Sequence, residues 1–263
     1  MADAAVAFDD ARAYEHFMGR WSRAIGTAFL QWLAAPQAAR WLDVGCGTGA
    51  FTELLLESCA PATVTAVDPA ASQIDYARHH LPAERVDLRV ADAQEMPFAD
   101  DAFDIVASAL AINFMADRAR ALSEMRRVCR PGGFVAGYVW DFAGGRSAAW
   151  PLRLGLERIG AAMPPIPGAG DTSLDALRAL FASAGLTPIA THAIEVTLTF
   201  ASFEEYWRSQ TPTFTPQGMI VASLPDADRR RLKEIVRAAL PANSDGSITY
   251  AARANAVKAR RPV

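Results

Sequence analysis

The chain has 263 residues, 51% of them apolar, and its 26 basic and 29 acidic side chains leave a formal net charge of −3. That size and apolar share suit one α/β domain with a substantial core, and the interspersed charges exclude the concentrated basic face of a nucleic-acid binder. No apolar run approaches the roughly 18 residues of a membrane span, the N-terminus lacks a signal-peptide pattern, and Cys46, Cys59 and Cys129 have no metal-ligand spacing, so a cytoplasmic protein with no metal and no membrane partner is expected.

Tyr14, Phe17, Met18, Trp21, Ile25, Phe29 and Leu33 recur at steps of three and four, the period of an amphipathic helix, with Gly19 and Gly26 marking a break. Strands are expected around 40–44, 63–67, 86–90, 103–110 and 133–140, with helices around 48–58, 70–80 and 117–129 between them. This alternation describes a doubly wound, mostly parallel sheet with helices on both faces. Residues 142–171 then carry six glycines and four prolines around one helical stretch at 148–159, an insertion on the core. A helix at 173–184 begins at a capping-box pattern, Thr172 with Asp175, and ends at Gly185. A strand at 189–200, helices at 202–209 and 226–240, and a last strand at 247–257 complete a seven-stranded reading.

Residues 41–50 read Trp-Leu-Asp-Val-Gly-Cys-Gly-Thr-Gly-Ala, an apolar run that ends in a turn stripped of side chains. Such a turn lets a nucleotide-like ligand lie against the backbone. Asp68, 19 residues after Gly49 and at the end of a second apolar run, is placed to accept from both hydroxyls of a ribose. The turn fits the dinucleotide pattern Gly45-x-Gly47-x-x-Ala50 and also Asp43-x-Gly45-x-Gly47-x-Gly49.

Three later segments separate these readings: Val90-Ala91-Asp92-Ala93 with Met96-Pro97-Phe98, Phe103-Asp104-Ile105-Val106, and Arg130-Pro131-Gly132-Gly133. In this order, over about residues 40–140, the chain resembles a class I S-adenosylmethionine-dependent methyltransferase. It is most similar to the small-molecule, methyltransferase type 11-like group that includes quinone-biosynthesis enzymes. The resemblance implies a Rossmann-like methyltransferase fold with an antiparallel last strand and a helical cap. Residues 1–35 would form an N-terminal helical lid and 36–263 the methyltransferase domain, with cap insertions at about 142–171 and 201–242.

Site roles follow from the same resemblance. The methionine part of S-adenosylmethionine would lie against Gly45, Cys46, Gly47 and Gly49, with Asp43 facing its cationic end. Asp68 would hold the ribose, Pro69 the adenine face, and Gln73 the cofactor edge. Asp92 and Ala93 would pair with adenine, and Ala109 would close the cofactor site at the end of strand four. From the lid, Tyr14 would cover the methionine end and Arg20 would pair with its carboxylate.

Asn113, Phe114, Trp140, Tyr206 and Trp207 are the expected acceptor-pocket residues, with Asp141, Phe203 and Phe214 nearby. These aromatics point to a small, partly apolar methyl acceptor, although aromatic residues in a cap also serve packing. The amino-methyltransferase tetrapeptide is absent after strand four, which weighs against methylation of nucleic-acid amines. Among the four histidines only His16, on the lid, is a candidate base, and no catalytic side chain is required when the methyl is already activated. Two alternatives stand beside methyl transfer to C, O or N: a NAD-dependent oxidoreductase, and a non-catalytic S-adenosylmethionine-binding protein. The second would be favoured if the acceptor pocket proved filled by its own aromatics.

Overall fold

In the computed structural model, residues 19–213 and 215–263 are described. The expectations for Tyr14, His16 and Phe214, and most of the lid, lie outside those residues. The first helix, α1 (Arg20–Leu33), buries Trp21, Ile25, Phe29 and Leu33 at the predicted spacing. It runs unbroken through Gly26, because that glycine serves a contact. A β-carbon there would stand 2.7 Å from Leu54 Cδ2 and 3.3 Å from the Tyr138 hydroxyl. Residues 20–33 are thus part of the core layer rather than of a lid.

The sheet is built from β1 (Arg40–Val44), β2 (Thr63–Asp68), β3 (Val86–Val90), β4 (Phe103–Ala109), β5 (Cys129–Trp140), β6 (Ile189–Phe200) and β7 (Ile248–Arg260). Their order is β3-β2-β1-β4-β5-β7-β6. All neighbouring pairs from β3 to β5 are parallel, and β7 runs antiparallel to both β5 and β6. The chain winds outward from β1 to β3 and then returns to β4 on the other side of β1. The carboxyl ends of β1 and β4 therefore flank the topological switch point, where open α/β sheets bind ligands.

Helices α2 (Ala50–Ser58) and α3 (Ala71–His80) join α1 on one face, and α4 (Arg118–Val128) and α6 (Leu174–Ser183) cover the other. The cap consists of α5 (Trp150–Arg158), α7 (Phe203–Gln210), α8 (Pro216–Ser223) and α9 (Asp226–Ala238). Gly155 of α5 lies against Leu232 and Val236 of α9. Helix α8 is absent from the sequence reading, because Thr211 to Gly218 is dense in turn residues; Thr215 accepts from the Gly218 amide and Pro216 starts the helix at its first position.

Strand β5 begins earlier than the expected residue 133. Cys129 pairs with Phe103 and Phe134 with Ile105, so Arg130 to Gly133 form an irregularity inside the strand. No helix connects β3 to β4. Arg127 of α4 holds that connection by donating to the carbonyls of Phe98 and Met96 and to Glu124 and Asp100. Lys258 of β7 caps α1 from the opposite end, donating to the Trp32 carbonyl at 2.6 Å. No described helix is long and apolar enough to cross a membrane.

Candidate functional site

The turn after β1 has three glycines at φ +77°, +54° and +92°, the left-handed region that residues with a β-carbon avoid. At Gly45 a β-carbon would fall 2.6 Å from that of Ala111, so β4's exit packs directly under the turn. At Gly47 the nearest atom would be Gln73 Oε1 at 3.9 Å, so this position is open on its outer side. The Gly45 and Cys46 amides both donate to the Val67 carbonyl, tying the turn to β2.

Asp68 stands at the end of β2 and braces the same turn. Its Oδ2 accepts from the Gly47 amide at 3.0 Å and its Oδ1 from the Ala70 amide at 2.9 Å. A carboxylate has about four acceptor positions, so two remain for a pair of hydroxyls. Burial raises its pKa, while these two amides oppose the rise.

Asp43 is fully buried on β1. Thr52, early in α2, donates to its Oδ2 at 2.7 Å, whereas Oδ1 has no partner. Burial pushes its pKa up to about 7, with Thr52 opposing and the Asp68 charge adding to the shift. An orphaned acid oxygen beneath a turn with an open backbone face fits a cationic, adenosyl-type ligand. Thr52 was not singled out in the sequence; its place in the first turn of the helix after the glycines is the available signal. Cys46 is buried and its thiol pKa is driven upward by that burial, so it stays neutral.

Pro69 is exposed and Gln73 half-buried beside Asp68. Asp92, just past β3, is exposed and accepts from the Gln94 amide at 2.8 Å and from its side chain, while Ala93 is buried. Ala109 ends β4, and Leu110 follows at φ +57°, a strained turn that brings Ala111 against Gly45. Asn113 is buried, with Nδ2 donating to the Pro167 carbonyl and Oδ1 unpartnered, and Phe114 is 55% exposed. These residues all gather at the carboxyl edge of β4, β1, β2 and β3.

Other expected residues do not reach that group. Arg20 donates to the Thr199 carbonyl at the end of β6 and pairs with Glu205 at 3.3 Å. That edge strand is four strand spacings from β1, about 19 Å. Trp140, Tyr206 and Trp207 are buried in the core: Trp140 stands edge-on to Trp21, Tyr206 to Phe200, and Trp207 lies beneath Lys233. Asp141 turns inward to accept from the Gly144 amide. His79, His80 and His192 bond or stack locally, and His80 lines a small cleft with Thr48 and Gly49 at the end of the turn. No cluster of metal-ligating side chains exists among the described residues. An open cleft of about 850 Å³ opens by Thr63, Arg78, Arg85 and Asp87, at the amino ends of β2 and β3 and so opposite the ligand edge.

Residues 42–137 match the family described as Methyltransferase domain. The chain is 37% identical over 134 residues to the malonyl-[acyl-carrier protein] O-methyltransferase of Methylococcus capsulatus, spanning 51% of this chain and 47% of that protein. It is 34% identical over 158 residues to the enzyme of that name from Pectobacterium atrosepticum, covering 59% and 60% of the two chains. The chain thus spans about half the length of these curated relatives. Among solved structures, phosphoethanolamine N-methyltransferase 2 of Haemonchus contortus, in complex with S-adenosyl-L-methionine, shares the fold with a TM-score of 0.59 at 18% identity. The match covers 96% of this chain and 56% of that one.

Proposed function

Because the chain belongs to the class I S-adenosylmethionine-dependent methyltransferases, we propose that it transfers a methyl group from S-adenosylmethionine to a carbon, oxygen or nitrogen of a small, partly apolar molecule. The observation that carries this reading is the glycine turn braced by Asp68 above the orphaned Asp43 oxygen. Bound S-adenosylmethionine supplies a methyl already activated on a sulfonium.

The chain's own work is positioning. Asp68 holds a ribose by its remaining lone pairs, and the backbone face at Gly47 admits the ligand close to the turn. Asp92 and Ala93 meet the adenine, and ionised Asp43 offsets positive charge below. Asn113 and Phe114, at the β4 exit, meet the acceptor. Holding nucleophile and methyl in line while excluding water is sufficient for rate, and no side chain here is assigned as a base.

Calorimetric titration with S-adenosylmethionine and S-adenosylhomocysteine tests the reading, with NADH as control. Micromolar binding of the adenosyl ligands, lost in Asp68→Ala, is expected; binding of NADH alone would overturn it. The packing of Trp140, Tyr206 and Trp207 favours one second reading, a protein that binds the cofactor without transferring methyl. Tight cofactor binding with no acceptor turned over from a broad panel would support that reading.

A further inference from the structure

The loop that joins α5 to α6 returns to the β4 exit and is tied down there. Asn113 Nδ2, in the short turn Ile112–Phe114, donates to the Pro167 carbonyl at 3.0 Å. Gly168 follows at φ +61°, packed so closely that a β-carbon there would strike the Asn113 carbonyl and stand 3.0 Å from Arg118 Nη1. Arg118 opens α4 and pairs with Asp171 of the same loop. Thr172 closes the loop, its hydroxyl donating to the Ala169 carbonyl at 2.8 Å and accepting from the Ala143 amide at 3.0 Å. The Arg118 guanidinium and the Asn113 carbonyl thus touch one glycine, at the carboxyl edge of β4 where the acceptor is proposed to enter.

This ion pair differs from an ordinary surface bridge. A cation in the first turn of a helix opposes the helix dipole, which favours acids there, so Arg118 stands at a cost to α4. The pair is also lopsided: the Arg118 side chain is 28% exposed and that of Asp171 55%, so Asp171 is the member that moves to water cheaply. The loop beside it is bare, since a β-carbon on Gly170 would meet nothing within 4 Å, and exposed Phe114 offers an aromatic face nearby. The adjacent charges are engaged: Asp117 caps α4 by accepting from the Arg120 amide, and Arg120 donates to the Gln94 carbonyl. Arg118 is the guanidinium of this rim whose partner can be exchanged.

The geometry points to Arg118 as the specificity-determining residue for a methyl acceptor that carries a carboxylate, with Asp171 holding its place in the free protein. An incoming carboxylate takes over the planar fork of the guanidinium while Asp171 turns to solvent, and an apolar body lies along Phe114. One carboxylate replaces another, so no guanidinium is left unpaired. A neutral acceptor has nothing to exchange and leaves the ion pair closed. Anchoring the acid fixes the acceptor's orientation at the β4 exit, which is how positioning contributes to rate. The inference rests on the methyl-transfer reading and gives it a substrate class.

The test titrates the full chain, loaded with S-adenosylhomocysteine, with phenylacetate, phenylacetamide and phenethyl alcohol, following the ligands by NMR. The three share one apolar body and differ at the end that Arg118 reads. Phenylacetate is expected to bind at least about fivefold more tightly than either neutral ligand, the gain of a charge-assisted, two-pronged pair over a neutral contact. Arg118→Gln should remove that preference and leave phenylacetamide and S-adenosylhomocysteine affinities unchanged. Asp171→Asn, which takes away the competing acid, should tighten phenylacetate by about threefold, the worth of an exposed ion pair. A pair that only tied the loop down would respond alike to both variants. Equal affinity for the three ligands, no phenylacetate binding, a preference that survives Arg118→Gln, or unchanged or weaker phenylacetate binding in Asp171→Asn would overturn the assignment. Failure of the wild type to bind S-adenosylhomocysteine overturns the methyl-transfer reading, whereas its binding without a carboxylate preference overturns the role of Arg118 alone.

Discussion

The three glycines of the turn, spaced by two, are interchangeable in composition, yet their surroundings make Gly45 and Gly47 different experiments. Gly45→Ala places a β-carbon in the left-handed region, at about 1–2 kcal/mol, and also against Ala111, where overpacking adds about 1–3 kcal/mol. Its melting temperature should fall clearly. Gly47→Ala meets only the conformational cost, so the fold should survive while calorimetry records weakened S-adenosylhomocysteine binding, because the new methyl occupies the open face. Asp43 provides a prediction about pH. An acid whose folded pKa is raised holds its proton more tightly when folded, so its stabilising share is full below about pH 4 and is lost as pH climbs to about 7. Asp43→Asn cannot ionise. Its stability relative to wild type should therefore grow across that window and level off above it, in thermal melts at a series of pH values. Asp104, whose carboxyl is held well below the usual range by Arg40 and Arg130, acts in the opposite direction, with a share lost on acidification. It is common to both proteins and cancels in the comparison.

At the scale of elements, the connection between β3 and β4 shows how one side chain replaces a helix. Residues 91–102 carry Asp92 and Ala93, and Arg127 binds that stretch to α4 through the Phe98 and Met96 carbonyls and the Asp100 carboxylate, with Glu124 of α4 accepting from the same guanidinium. Arg127→Ala should lower stability by about 1–3 kcal/mol, as expected for loss of charge-assisted bonds. It should also weaken S-adenosylhomocysteine several-fold by releasing Asp92 and Ala93, the residues proposed to face adenine, although Arg127 lies behind them; chemical denaturation and calorimetry on one sample separate the two effects. The strands and helices that bear the residues proposed to hold the cofactor were legible because their signals are local. A short, mostly apolar run that stops at turn signals, as Trp41 to Val44 stops at Gly45 and Val64 to Val67 at Asp68-Pro69, reads as a buried strand from its neighbours alone. Helix α8 and the irregular start of β5 were not, since Pro216, Gly218, Gly132 and Gly133 are equally at home in a loop, and tertiary contacts decided otherwise.

For the whole molecule, β7 lies between β5 and β6 and contributes the Lys258 cap on α1. Truncation after Gly246 should therefore abolish cooperative unfolding rather than trim an edge, which a calorimetric scan would show as loss of the transition. The sequence by itself determined the alternation of strands and helices, the seven strands, and the identity of the residues at the glycine turn, because those depend on neighbours within a few positions. Only the tertiary structure decided what lies far apart in the chain. Gly26 became a helix contact because Leu54 and Tyr138 come to it. Arg20 was drawn to Glu205, 185 positions away, and away from the turn. Trp140, Tyr206 and Trp207 became core, and the unpartnered ends of Tyr206 and Gln210 emerged only once they were packed. Burial and hydrogen-bond satisfaction are properties of the assembled interior, and no local pattern of residues specifies them.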